Sequence, residues 1–139
     1  MTIQDNNKQL CRDYFKAFLE ADEAWWTRHI APAFVRHDPG LPFDVIGPAG
    51  VKRLAEALLP GIPDMTLPIE DVIAEGEKVL VRLRVKGTHG GPLMGMAATG
   101  RKIDIGVLDL FQIRDNRLIE HWALLDNLGM LKQLGVTSI

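Results

Sequence analysis

Three features of this chain predict an α+β fold. Helical periodicity dominates the first sixty residues, strand alternation dominates the rest, and Pro-Gly or Gly-Pro pairs punctuate the change. From about Asn6 to Glu20, Leu10, Tyr14, Phe15, Phe18 and Leu19 recur on one side, with charged Lys8, Arg12, Asp13 and Lys16 mostly opposite. Asp22 then has the character of an N-cap for a short second helix holding Trp25, Trp26 and Ile30, ended by Pro32. Ala33 to Gly40 reads as a short strand running into a turn. Gly47-Pro48 opens a third helix with Pro48 at its first position, and Pro60-Gly61 closes it.

From Met65 the pattern becomes β. Met65 to Ala74 is one strand and Glu75-Gly76-Glu77 a turn. Lys78 to Thr88 alternates, with Val79, Val81, Leu83 and Val85 on one face and Arg82, Arg84 and Lys86 on the other. Gly87 to Gly100 holds five glycines and reads as a loop. Lys102 to Ile113 and Leu118 to Leu125 form a hairpin about Asp115-Asn116, apolar on both faces, so cover is expected on both. Leu128 to Leu134 adds a terminal helical turn. The order predicts a cone-shaped α+β barrel: three N-terminal helices on a curved, mainly antiparallel sheet, with room inside for a small molecule.

A chain of 139 residues, 47% hydrophobic and 24% charged, fits one globular domain, taken as residues 1–139. The net charge of -2 comes from interspersed acids and bases, which excludes a basic nucleic-acid stripe. Cys11 stands alone, which excludes an internal disulfide or a cysteine metal cluster. The four histidines, at 29, 37, 89 and 121, lack the spacing of zinc ligands, so no metal is expected. No apolar run approaches the roughly 20 residues that span a bilayer. The polar N-terminus does not have the layout of a signal peptide, so a cytoplasmic protein is expected.

Several short motifs then fall in a telling order: His37-Asp38-Pro39, Ala74-Glu75-Gly76, Val79 with Arg82, Gly87-Thr88-His89-Gly90, Thr99-Gly100-Arg101, Asp109, Glu120-His121-Trp122, Asp126 and Gln133-Leu134-Gly135. In these the chain resembles the SnoaL-like polyketide cyclase family, within the nuclear-transport-factor-like superfamily that includes ketosteroid isomerase. The resemblance implies a homodimer, or another oligomer, whose cone holds a deep apolar pocket, a small apolar ligand, and no metal or organic cofactor. It also implies an intramolecular aldol ring closure with an aspartate as acid/base. That aspartate falls at position 123, which is Ala123 here, and a second pocket position, often His, falls at Asp109.

Two residues carry the expected chemistry. His121 shares strand parity with Ala123 and is either a general acid/base or a core histidine. Asp109 is the only polar group of Val107-Leu108-Asp109-Leu110-Phe111, and a buried carboxylate needs a partner, a proton or a wet cavity. A two-residue hairpin loop pairs Asp109 with Trp122. A three-residue loop pairs it with Ala123 and sets His121 opposite Phe111, and this register is favoured because it joins the family's two pocket positions. Tyr14, Phe18, Trp26, Phe111 and Ala123 are the expected ligand-facing residues, of which some belong to the core. His37 stands at the pocket mouth or in a turn, and Asp126 serves the pocket or caps the last helix. Glu120 has outer-face parity, and His89 reads as solvated or at a dimer edge.

The leading functional expectation is a cofactor-independent acid/base enzyme, of cyclase or isomerase type, acting on an apolar carbonyl compound. A non-catalytic ligand-binding or dimerisation module is the alternative, supported by Ala123. An epoxide-hydrolase-like site recruiting Arg101, Asp104 and Asp109 is a third.

Overall fold

The computed structural model describes residues 1–138. Helix α1 runs Ile3–Glu20, three residues earlier than periodicity suggests. Thr2 and Asp5 form a capping box there, and Ala21 ends the helix in the left-handed conformation. Helix α2 is Glu23–His29, capped by the Asp22 carboxylate, which accepts from the Trp25 N–H. Strand β1, Ile30–His37, starts at once and runs through Pro32, whereas the sequence placed Ile30 in the helix and let Pro32 end it. Pairing with the neighbouring strand is interrupted between Ile30 and Val35, so Pro32 sits where no ladder N–H is demanded.

A two-residue strand β2, Val45–Ile46, precedes helix α3, Gly47–Leu58, with proline in its first turn. Strand β3 is Ile69–Glu75, shorter than expected: Thr66 makes only an isolated bridge to Lys86, and Pro68 intervenes. Strands β4 (Lys78–Thr88), β5 (Lys102–Arg114) and β6 (Arg117–Leu125) follow, then helix α4, Asn127–Gln133. The sheet order is β2-β1-β6-β5-β4-β3, antiparallel except for β1 with β6. The curved sheet and the helices enclose one main core around Tyr14, Trp26, Phe34 and Phe111.

The hairpin register has an instructive origin. The loop is the two-residue one, with Asp115 and Asn116 both at positive φ. Arg114 pairs with Arg117 and Ile113 with Leu118, but Gln112 pairs with Glu120. Ile119 is therefore an extra residue, a β-bulge, and it moves every later pair by one. Asp109 thus faces Ala123 and Phe111 faces His121, the favoured register reached by a different device.

The outer face of β5 and β6 departs from expectation. Leu108 and Leu124 are exposed, so no element among the described residues covers that face. No helix there is long and apolar enough to cross a membrane.

Candidate functional site

Three adjacent strands assemble the site. Arg36 on β1 and Phe111 on β5 both lie opposite His121 on β6, giving one cross-sheet row. Asp109 and Ala123 form the next row. Pleating alternates side chains, so both rows face the helices.

His121 is fully buried in an aromatic box. Phe111 stacks on its ring at 4.0 Å, and Tyr14 meets it edge-on at 5.8 Å. Burial pushes the imidazole pKa below its ordinary value, and the nearby Asp109 carboxylate opposes that only in part. His121 Nε2 stands 3.2 Å from Asp109 Oδ1. The distance suits a hydrogen bond but the angle does not, and neither ring nitrogen has an aligned partner. The pair is a close electrostatic contact.

Beyond Asp109 lies a cavity of about 90 Å³. Its wall is mostly apolar, with Phe18, Leu54, Leu83 and Val107 among its members. Its polar groups are few: Tyr14, Arg36, Asp38, Asp109 and Asn127. The Arg36 and Asp38 side chains are only 8% and 5% exposed. Arg36 donates from Nε (3.1 Å) and Nη2 (2.8 Å) to Asp38 Oδ2. Burial works against its charge, but the oxygens of Tyr14, Asp109 and Asp38 outweigh it and hold the guanidinium pKa above its ordinary value. The Tyr14 hydroxyl is buried without a hydrogen-bond partner, and burial pushes its pKa up to about 12, so it stays a neutral donor. Cys11 is also buried, and burial, reinforced by the Asp109 charge, drives its thiol pKa far up and keeps it protonated.

Of the residues expected from sequence, Asp109, Tyr14 and Phe18 lie on the cavity wall. His121 and Phe111 lie behind it, and Ala123 is buried opposite Asp109. Trp26 is in the core. His37 is on the outer face, where its Nε2 is 2.6 Å from Glu120 Oε2 and its ring stacks on Trp122. Asp126 is the cap of α4, accepting from the Gly129 N–H. His89 is buried rather than solvated, with Nδ1 2.9 Å from the Thr99 hydroxyl, because the glycine-rich segment folds back on itself there. Asp104 pairs with Arg84 at the surface and Arg101 is exposed, so neither joins Asp109. Among the described residues no group of three or more His, Cys, Asp or Glu converges to hold a metal ion.

Sequence reasoning missed Arg36 and Asp38. The signal was present: Arg36 has the strand parity of Phe34, an obvious core residue, so it must point inward.

A family model described as SnoaL-like polyketide cyclase matches residues 8–134. The chain is 38% identical over 60 residues to the aklanonic acid methyl ester cyclase DnrD of Streptomyces peucetius. That match spans 43% of this chain and 41% of that protein. The structure of IdmH from Streptomyces antibioticus is 31% identical, with 94% of this chain and 99% of that one covered at a TM-score of 0.79. TsrD from Streptomyces laurentii is 26% identical, with 99% and 100% covered at a TM-score of 0.84.

Proposed function

The chain belongs to the SnoaL-like polyketide cyclase family, and from that premise we propose a cofactor-independent acid/base enzyme of cyclase or isomerase type acting on an apolar carbonyl compound. One observation carries this reading: of the two carboxylates on the wall of a largely apolar cavity, Asp38 is hydrogen-bonded to Arg36 while Asp109 is not, and a fully buried imidazole lies against the back of Asp109. A carboxylate so placed removes a proton from the carbon beside a carbonyl. The C–H electron pair forms the enolate, and the proton rests on Asp109. In a ring closure the enolate carbon attacks a second carbonyl of the same molecule. The alkoxide formed there takes the proton back from Asp109. His121 does not reach the cavity wall, so its part is positional: its buried ring packs behind the carboxylate, with Nε2 3.2 Å from Asp109 Oδ1. Tyr14 and Phe18 form the ligand wall, and the cyclase activity of DnrD supports the ring-forming version.

Ala123 favours a second reading, a ligand-binding module without turnover. Deuterium uptake at the carbon beside the carbonyl of 1-indanone, followed by NMR in D2O, separates the two. Under the first reading the protein catalyses exchange and Asp109→Asn lowers it by about a hundredfold or more. Saturable binding of 1-indanone with no catalysed exchange selects the second.

The uncovered sheet face supports a homodimer. Leu108 and Leu124 are 46% and 61% exposed beside Trp122, a patch that a second copy would cover. Light scattering after gel filtration should give twice the chain mass, and Leu124→Arg should halve it. A wild-type monomer at micromolar concentration refutes the dimer.

A further inference from the structure

The cavity wall carries one basic side chain, Arg36. A guanidinium has five N–H donors in a fixed fork. Two nitrogens, Nε and Nη2, are engaged by Asp38, whose other oxygen accepts the Gly40 N–H at 3.0 Å. The fork is therefore held in one orientation. Nη1 makes no hydrogen bond within the chain, and Arg36 is part of the cavity wall.

The charges around it limit what it can hold. With His121 neutral, Arg36 contributes +1 against the carboxylates of Asp38 and Asp109, and the cluster is anionic by one. A ligand carboxylate would add a second uncompensated charge inside apolar walls, which is strongly disfavoured. Proton abstraction adds none. As the proton moves to Asp109, the negative charge leaves that carboxylate and appears on the carbonyl oxygen of the ligand. Asp109 then no longer competes for Arg36, and the guanidinium, still held by Asp38, turns its remaining donor to the new charge.

We infer that Arg36, through Nη1, holds the carbonyl oxygen that becomes the enolate, and that the site selects uncharged ketones and 1,3-dicarbonyl compounds over carboxylates. This deepens the acid/base reading above and rests on it. Arg36 is then the oxyanion-holding residue, with Asp38 positioning it.

Two probes of like size test this at pH 8: 2-naphthol, a neutral enol analogue, and 2-naphthoate, a carboxylate. By calorimetry the wild-type protein should bind 2-naphthol at least tenfold more tightly than 2-naphthoate. Arg36→Met should lose at least tenfold in 2-naphthol affinity and in the 1-indanone exchange rate, and Arg36→Lys should recover part of both. A structural role alone would not be rescued by lysine, nor would it move the naphthol-to-naphthoate preference. Should Arg36→Met fail to fold, wild-type NMR serves. The Arg36 guanidinium signals should shift on adding 2-naphthol and stay in place with 2-naphthoate. Guanidinium signals indifferent to 2-naphthol, an Arg36→Met affinity within twofold of wild type, or tighter binding of 2-naphthoate would each overturn the assignment. A protein that binds 2-naphthol through Arg36 but shows no catalysed exchange would refute the acid/base reading and leave the oxygen site standing.

Discussion

Asp109→Asn should raise stability while abolishing exchange. The expectation comes from counting charges in a buried cluster. Arg36 and Asp38 are nearly enclosed and joined by two hydrogen bonds, while Asp109 is 3% exposed with no aligned hydrogen bond to Oδ1. Breaking a buried ion pair ordinarily costs about 3–5 kcal/mol, because a charge is left without a partner. Here none is left: Arg36 retains Asp38, and His121, held neutral by burial, needs no anion. The asparagine amide is the same size as the carboxylate, and its N–H can point at His121 Nε2. Removing the surplus charge should therefore gain about 1–2 kcal/mol, or about 3–6 °C in Tm for a chain of this length. Urea unfolding and calorimetry at pH 8, where the unfolded-state histidine is also neutral, measure it. A Tm lower than wild type by more than about 3 °C, with an unchanged m-value, would show that Asp109 is the stabilising partner of Arg36 and that the cluster is not overcharged.

The lowered His121 pKa predicts an acid-side loss of stability. The unfolded chain takes up a proton near pH 6.5 that the folded chain refuses, so the full stability is present above that pH and falls below it, by about 1.4 kcal/mol per pH unit. His121→Gln should flatten the urea-measured slope between pH 6.5 and 5, and an unchanged slope refutes the assignment. Ala123→Asp should place a second carboxylate directly opposite Asp109 and cost about 3 kcal/mol by urea unfolding, and Ala123→Asp with Asp109→Asn should recover most of it. A double variant no more stable than Ala123→Asp alone would show that the cost is steric.

Most of the fold was legible because its signals are local. The alternation of Lys78 to Thr88 and the Gly47-Pro48 helix start need only neighbouring residues. What was not legible depended on contacts across the sheet. The Ile119 bulge leaves no mark in composition, and periodicity cannot say whether the register moves in the loop or in the strand. Pro32 read as a stop because the break in β1 pairing that accommodates it lies against β6, ninety residues on. The site was half legible for a related reason. Asp109 and His121 stood out as polar residues in apolar strands. Arg36 lies among charged neighbours, Arg36-His37-Asp38, where charge looks like solvent exposure and only the parity with Phe34 reveals that it turns inward.

Alanine at position 123 now has a structural meaning. It is buried directly opposite Asp109, and paired residues on adjacent strands have Cβ atoms about 5 Å apart. A carboxylate borne by either strand therefore reaches the same region of the cone. Two carboxylates there would repel each other, so an uncharged residue at 123 is the natural companion of an acid at 109. The bulge at Ile119 sets this relation: without the added residue, Asp109 would face Trp122 on β6. Register and charge thus agree on Asp109 as the one carboxylate that β5 and β6 turn into the cavity, backed by an imidazole and flanked by the Arg36–Asp38 pair. That consistency across independent constraints supports a retained acid/base site better than any of the residues does alone.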